Sequence, residues 1–341
     1  MRRPVGRRYG CEVRLLLQAQ VNVGTVERLR ALSPDLDVVD VSADGSFDFD
    51  ALTDSGLEVI VGRQTPADLT RVPGLRWLQT GSAGVDHLAA DPPWAKGILV
   101  TNARGVFAIP IAEYVTGAIL RINQPIARWA SDQATHTWPE DDEPLAGIAR
   151  GRTAVLVGYG SIGREVARQL AALGLRIIAV KPRPDVRIDA SYRVPGTGDP
   201  DGAIPERFVG VDGLAEAAAE ADYLVLTLPL TSQSRGLIDS SVLAALPTSA
   251  WLINVSRGAL VDEDALLAAL RASTLGGAVL DVFSEEPLPR EHPLWDIPNV
   301  TITPHVSGAT SRFRDDLIVE NVRRYLAGEA LLNPVDPARG Y

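Results

Sequence analysis

Residues 153 to 184, TAVLVGYGSIGREVARQLAALGLRIIAVKPRP, join an apolar run to three glycines spaced Gly158-x-Gly160-x-x-Gly163 and end on two cations, Lys181 and Arg183. Glycine-rich hexamers also occur in ordinary turns, so context decides. Here an apolar strand runs straight into Gly158, and Ile162, Val166, Leu170 and Leu173 form a helical stripe behind it. That is the strand, tight turn and helix of a dinucleotide fingerprint. Gly158 permits the turn, Gly160 lets the backbone approach a pyrophosphate, and Gly163 lets helix and strand pack closely. With Tyr159, Ser161 and Ile162 between them, the glycines predict a cradle of amides at the positive end of a helix. A site that prefers a free ribose 2′-hydroxyl carries an acid about 20 residues further on, and Lys181 stands there instead. Lys181 and Arg183 attract a 2′-phosphate where a carboxylate would repel it. The chemistry predicts NADP(H) over NAD(H).

Three more segments carry reactive side chains, each at or just past an apolar run: NVSRGALVDEDAL at 254 to 266, LDVFSEEPLP at 280 to 289 and TPHVSGAT at 303 to 310. Open α/β sheets bind ligands at such strand ends. Between them they offer Arg257, Glu286 and His305. Taken singly, each has a bland use: a bridging arginine, a loop acid beside Glu285, a turn histidine. Together they suit an anionic substrate with a polarisable oxygen. Arg257 can hold an anionic group with its fork and polarise such an oxygen. Protonated His305 can donate to that oxygen as general acid, and Glu286 in contact with the imidazole would favour its charged form. Backbone amides in GSAGVD, around Ser82, Ala83 and Gly84, could add an anion nest. No metal is expected, since the four histidines show no ligand spacing.

The elements that must position these residues read as two α/β series. VRLLL at 13, EVIV at 58, LRWLQ at 75 and ILVT at 98 alternate with helical stretches such as GTVERLRAL at 24 to 32. A second series starts at 153 and includes LRIIAV, DYLVLTL, AWLINV, GGAVLD and NVTIT. Alternation of this kind predicts βαβ units and parallel sheets. One long helix is expected over 110–130, with Pro125 as a kink. The acidic stretch after it reads as a solvated loop or as an arm toward a partner subunit. A last amphipathic helix is expected over about 310–327. The stretch 182–210 is too rich in Pro and Gly for a regular element, and its sequence fits an ordered flap or a flexible excursion.

A chain of 341 residues is long for one core and predicts two domains with a cleft. The net charge of −10 argues against a nucleic-acid partner, which selects basic surfaces. Cys11 is the only cysteine, which excludes an intrachain disulfide and suits a reducing cytoplasm. The arginines near the start are followed by Glu12 and Arg14, which break the apolar core a signal peptide needs. No uncharged apolar run is long enough to span a membrane.

The motifs AGVDHL, TNARGVFAIPIAEY, GYGSIG, LPLTSQSRGLI, NVSRGALVDEDAL, LDVFSEEPLP and TPHVSGAT, in this order, resemble those of the D-isomer-specific 2-hydroxyacid dehydrogenase family. The resemblance implies a Rossmann nucleotide-binding domain, 119–306, inserted into a flavodoxin-like substrate domain, 1–118 with 307–341. It also implies a homodimer with an arm at about 110–150. Arg257, Glu286 and His305 match the family's catalytic trio. Thr227, Leu228 and Pro229 match the segment lining the cofactor, as does Val255, and Asp281 matches the acid beside the nicotinamide amide. The activity implied is hydride transfer between NAD(P)H, with NADPH favoured, and a small 2-oxoacid such as glyoxylate or hydroxypyruvate. Formate dehydrogenases of this architecture have glutamine where Glu286 stands. A phosphite dehydrogenase keeps the trio but uses a lysine where this chain has QTGSAG, and a corepressor of the same fold binds NAD(H) without turnover.

Overall fold

The computed structural model describes residues 13–42, 56–62, 68–88, 90–124, 126–138, 147–189, 191–308 and 313–337. The basic start with Cys11, Pro125 and the acidic residues 139–146 lie outside them. The chain forms two compact units: 1–107 with 191–194 and 310–341, and 108–190 with 195–309.

The first unit is built on five strands, β1 (Val13–Leu17), β2 (Leu36–Asp40), β3 (Leu57–Val61), β4 (Trp77–Gln79) and β5 (Leu99–Thr101). Their order is β2-β1-β3-β4-β5 and every pairing is parallel. This is the flavodoxin-like order 2-1-3-4-5. Both faces are covered, which is why the strands read as near-continuous apolar runs. Helices α1 (Thr25–Arg30) and α8 (Phe313–Ala327) lie in this unit, and Ile318 and Val322 of α8 share a core with Val13, Leu15, Val59 and Trp77. The C-terminal helix therefore returns to the first unit, fixed further by Asn321 Nδ2 on Gln79 Oε1 at 2.7 Å.

The second unit carries seven parallel strands, β6 (Thr153–Val157), β7 (Arg176–Val180), β8 (Arg207–Val209), β9 (Tyr223–Leu226), β10 (Trp251–Asn254), β11 (Gly277–Leu280) and β12 (Val300–Ile302). Their order, β12-β11-β10-β9-β6-β7-β8, is the Rossmann order 3-2-1-4-5-6 with a seventh strand added. Helices α2 (Ala108–Asn123), α3 (Ile126–Ala134), α4 (Ser161–Ala172), α5 (Leu214–Ala218), α6 (Ser240–Ala245) and α7 (Glu263–Arg271) surround it. Val115 and Ile119 of α2 and Val166 and Leu170 of α4 are fully buried, and Thr116 Oγ1 donates to Gln169 Oε1 at 2.9 Å.

Two expectations about elements need correction. The single helix over 110–130 is two, because α2 ends at Asn123 and α3 begins at Ile126. Pro125 lies between them, where it would remove an amide hydrogen bond from any continuous helix. The stretch 182–210 does contain a regular element, the edge strand β8, and residues 183–189 and 195–206 of the second unit form an ordered flap bonded to α4. Strand β2, LDVVD, is a further element beyond those the sequence predicts, since its two aspartates mask the apolar alternation.

Candidate active site

The glycine turn stands where the strand order reverses, between β6 and β9, the place at which such sheets bind ligands. Gly158 takes φ +100°, and a Cβ there would lie 2.7 Å from Leu228 N, so the turn requires glycine. A Cβ on Gly163 would lie 2.3 Å from Gly158 O. Thr227 Oγ1 donates to that same oxygen at 2.7 Å, tying the end of β9 to the turn. A Cβ at Gly160 would meet open space. Gly160 caps α4, whose first amides have no intrahelical acceptor and carry the positive end of the helix dipole. These residues fit a dinucleotide pyrophosphate. Tyr159 is buried, and Ser161 and Ile162 are half-buried.

At the end of β7, Lys181 is half-buried and donates through Nζ to Val186 O at 2.6 Å. Burial pushes its ammonium below the ordinary lysine range, and the charges of Arg164 and Arg183 push the same way. Arg183 is exposed. Val255 is buried beside β10, while Leu228 and Pro229 are more open.

Arg257, Glu286 and His305 lie on three loops of the second unit, and two of the three side chains meet. His305 Nδ1 lies 2.8 Å from Glu286 Oε2; a carboxylate only accepts, so Nδ1 carries the proton. Glu286 Oε1 accepts from Phe283 N at 3.0 Å. Arg257 joins through its neighbour: a Cβ on Gly258 would fall on the Phe283 backbone, so the arginine loop and the glutamate loop touch. Asn254 Nδ2 donates to Arg257 O at 2.9 Å, Ser256 Oγ donates to Leu228 O, and Arg257 Nη1 donates to Ser256 O at 2.8 Å.

His305 adopts φ +53°, a left-handed conformation uncommon outside glycine, and it persists where surroundings over-determine it. Asp281 supplies the restraint. Its side chain is fully buried, and its oxygens accept from Thr303 Oγ1 at 2.6 Å, Val306 N at 2.9 Å and Ser307 N at 2.9 Å. Its carbonyl takes His305 N at 2.9 Å. Thr303 spends its proton on Asp281, so Tyr114 OH, 2.7 Å away, donates to Thr303. Burial raises the Tyr114 phenol above its ordinary range, and the Asp281 charge adds to this. Asp281, expected beside a nicotinamide amide, thus holds the histidine loop. Sequence reasoning missed Tyr114 and Thr303, although both lie inside quoted motifs, one residue past AE and two before His305.

In the first unit, Ser82 Oγ donates to Gly84 O at 2.7 Å and Thr80 Oγ1 to Ser82 O at 3.0 Å. Ala103 N also donates to Ser82 O, at 2.9 Å, so Ser82, Ala83 and Gly84 form a braced turn after β4. Among the described residues no group of His, Cys, Asp or Glu could hold a metal ion, and no helix is long and apolar enough to cross a membrane.

The sequence profile of the D-isomer specific 2-hydroxyacid dehydrogenase, NAD binding domain, matches residues 116–307. The chain belongs to the D-isomer specific 2-hydroxyacid dehydrogenase family. Like the family it is an NAD(P)-dependent oxidoreductase of Rossmann fold. It is 34% identical to the glyoxylate/hydroxypyruvate reductase B of Pectobacterium carotovorum over 88% of this chain and 91% of that one. Its fold matches a D-isomer specific 2-hydroxyacid dehydrogenase from Xanthobacter autotrophicus Py2, solved in complex with NADPH and MES, with a TM-score of 0.77 at 32% identity over 96% of this chain and 100% of that one. It also matches an NADPH-dependent glyoxylate/hydroxypyruvate reductase from Sinorhizobium meliloti, solved with NADP and sulfate, with a TM-score of 0.75 at 27% identity over 96% and 100%.

Proposed function

We propose that this family member reduces a small 2-oxoacid of the glyoxylate or hydroxypyruvate type with NADPH. The observation that carries the reading is the His305–Glu286 pair at 2.8 Å, beside a loop bearing Arg257. NADPH, when bound, supplies the hydride. Arg257 grips the substrate carboxylate and faces the ketone oxygen, where negative charge grows as hydride arrives. His305, with Nδ1–H on Glu286, gives the proton on Nε2 to that oxygen, and Glu286 balances the imidazolium before transfer. In the oxidative direction neutral Nε2 takes the hydroxyl proton. In the first unit, taken by itself, the amides of Ala83 and Gly84 are a nest suited to an anionic group. Gly158, Gly160, Gly163 and the first turn of α4 take the pyrophosphate; Thr227, Leu228, Pro229 and Val255 line the nucleotide. Lys181 and Arg183 favour the 2′-phosphate, in keeping with the NADPH and NADP bound to two of the solved relatives.

We further propose a homodimer in the cytoplasm. Leu120, Ile126, Trp138 and Ile148, all in the expected arm, are exposed apolar side chains, and a second copy of this chain would cover them. Light scattering on the wild type and on Trp138→Glu tests this; a monomeric wild type would sink it.

The enzymatic test is parallel initial rates of NADPH and NADH oxidation against glyoxylate, hydroxypyruvate, pyruvate, phenylpyruvate and 2-oxoisovalerate. Fast turnover of glyoxylate and hydroxypyruvate with NADPH is expected. Preference for NADH, or no turnover while both cofactors bind, would overturn the reading.

A further inference from the structure

Two ionised side chains directly behind the fingerprint are buried: Arg164 at 3% exposure and Glu165 at 0%. Burial of charge costs several kcal/mol per ion, roughly, unless partners are well placed. Their partners lie on the flap after β7. Arg164 donates to Asp199 O and, at 2.5 Å, to Arg187 O, and its Nε lies 3.4 Å from Asp189 Oδ2. Glu165 accepts from Gly198 N at 2.6 Å and pairs with Arg168 at 2.5 Å. Two well-separated stretches of the flap, 187–189 and 198–199, are thereby fastened to one helix.

Tyr159, inside the fingerprint, makes the third anchor. Its hydroxyl donates to Asp199 Oδ2 at 2.6 Å, and Asp199 also accepts from Ala203 N and Ile204 N at 2.9 and 3.1 Å. Arg187 is fixed at its root from the other side too, for a Cβ on Gly202 would lie 2.8 Å from Arg187 O. From that root its guanidinium stands 5.3 Å from the Phe208 ring, and Lys181 Nζ stands 5.8 Å from the same ring, both within cation–π range. Phe208 in turn meets Tyr159 edge-on at 5.3 Å. Two cations are thus gathered on one aromatic side chain at the end of β7, on a braced backbone.

We propose that the flap segments 183–189 and 195–206 of the second unit are a fixed wall built onto the nucleotide helix, and that Arg187, rooted in it, acts with Lys181 to recognise a phosphate monoester on the adenosine ribose. The inference rests on the NADPH reading above. Arg187 is the specificity residue and Arg164 the positioning residue that aims it. The Lys181 ammonium is lowered first by burial and then by the charges of Arg164 and Arg183, and a dianionic ligand beside it would favour its charged form.

The test is calorimetric binding of 2′,5′-ADP and of 5′-AMP to the full chain, with hydrogen exchange of the flap amides. Wild type should bind 2′,5′-ADP far more tightly, with Gly198, Ala203 and Ile204 protected before any ligand is added. Arg187→Ala should cut the preference at least about tenfold, the loss of one charge-assisted contact, and leave 5′-AMP unchanged. Arg164→Lys, which keeps the charge but loses the fork, should speed exchange in the flap and lower the preference together. A wild type without preference sinks the NADPH reading and this inference with it. A preferring wild type whose Arg187→Ala variant keeps the preference overturns this inference alone. So does an Arg164→Lys variant with a loosened flap and intact preference.

Discussion

A Cβ on Gly258 would sit 1.9 Å from the carbonyl carbon of Phe283 and 2.3 Å from Ser284 N. No real side chain tolerates such a distance, so the arginine loop and the glutamate loop are held together by the absence of one. The contact matters chemically because Arg257 precedes Gly258 and Phe283 N donates to Glu286. Gly258→Ala must part the loops. It should destabilise the protein by about 1–3 kcal/mol, the usual cost of overpacking, and lower kcat/KM by more than tenfold. Denaturant unfolding beside steady-state rates checks both; an active, fully stable variant would mean that the loops are not coupled.

Arg257→Ala should cost at least about 3 kcal/mol in kcat/KM, since a charged anchor and an oxyanion partner leave together. Arg257→Lys should recover only part, because a point charge cannot form the planar fork. Near-normal rates with 2-oxoacids would remove Arg257 from the mechanism.

Thr303→Val keeps the shape of the side chain and deletes the hydroxyl that links Tyr114 to buried Asp281. A buried carboxylate short of one donor should cost about 1–3 kcal/mol of stability. If the loop then lets His305 leave its left-handed conformation, kcat should fall roughly 10- to 100-fold, with the KM for cofactor less affected. Tyr114→Phe should act in the same direction and more weakly. An equal loss in cofactor KM would assign Asp281 to the nucleotide rather than to the histidine loop.

The chemistry of this protein was far more legible than its supports. Gly158 and Gly163 could be read because backbone conformation and close approach leave glycine no substitute, and Arg257, Glu286 and His305 stand out as candidates because each follows an apolar strand. Asp281 could be read as important, yet its role turned on contacts with Thr303, Val306 and Ser307 that no local spacing encodes. Arg164 and Glu165 gave no signal at all. Charged residues on a helix normally face water, and their burial follows only from the flap that folds over them. The sequence leaves that stretch open between an ordered flap and a flexible excursion because its order comes from side chains bonding to backbone, through Asp199 and Glu165, rather than from a repeating ladder.

Glu165 also gives the flap a pH dependence of known sign. Burial alone would raise its carboxyl, but hydrogen bonds from Arg168, the Gly198 amide and Gln169 outweigh it and hold the group below the ordinary value of 4.5. A group lowered in the folded state contributes stability that is fully present above that ordinary value and is lost as pH falls through its folded value. Glu165→Gln lacks this contribution at every pH. The stability gap between wild type and Glu165→Gln, measured by denaturant unfolding, should therefore be constant from pH 7 to about 5 and close steadily as the solution is made more acid. Flap amide exchange at Gly198 should accelerate in wild type over the same acid range and already be fast in the variant at neutral pH. A gap that stays constant down to the acid transition would mean that Glu165 does not hold its proton-free form through these bonds.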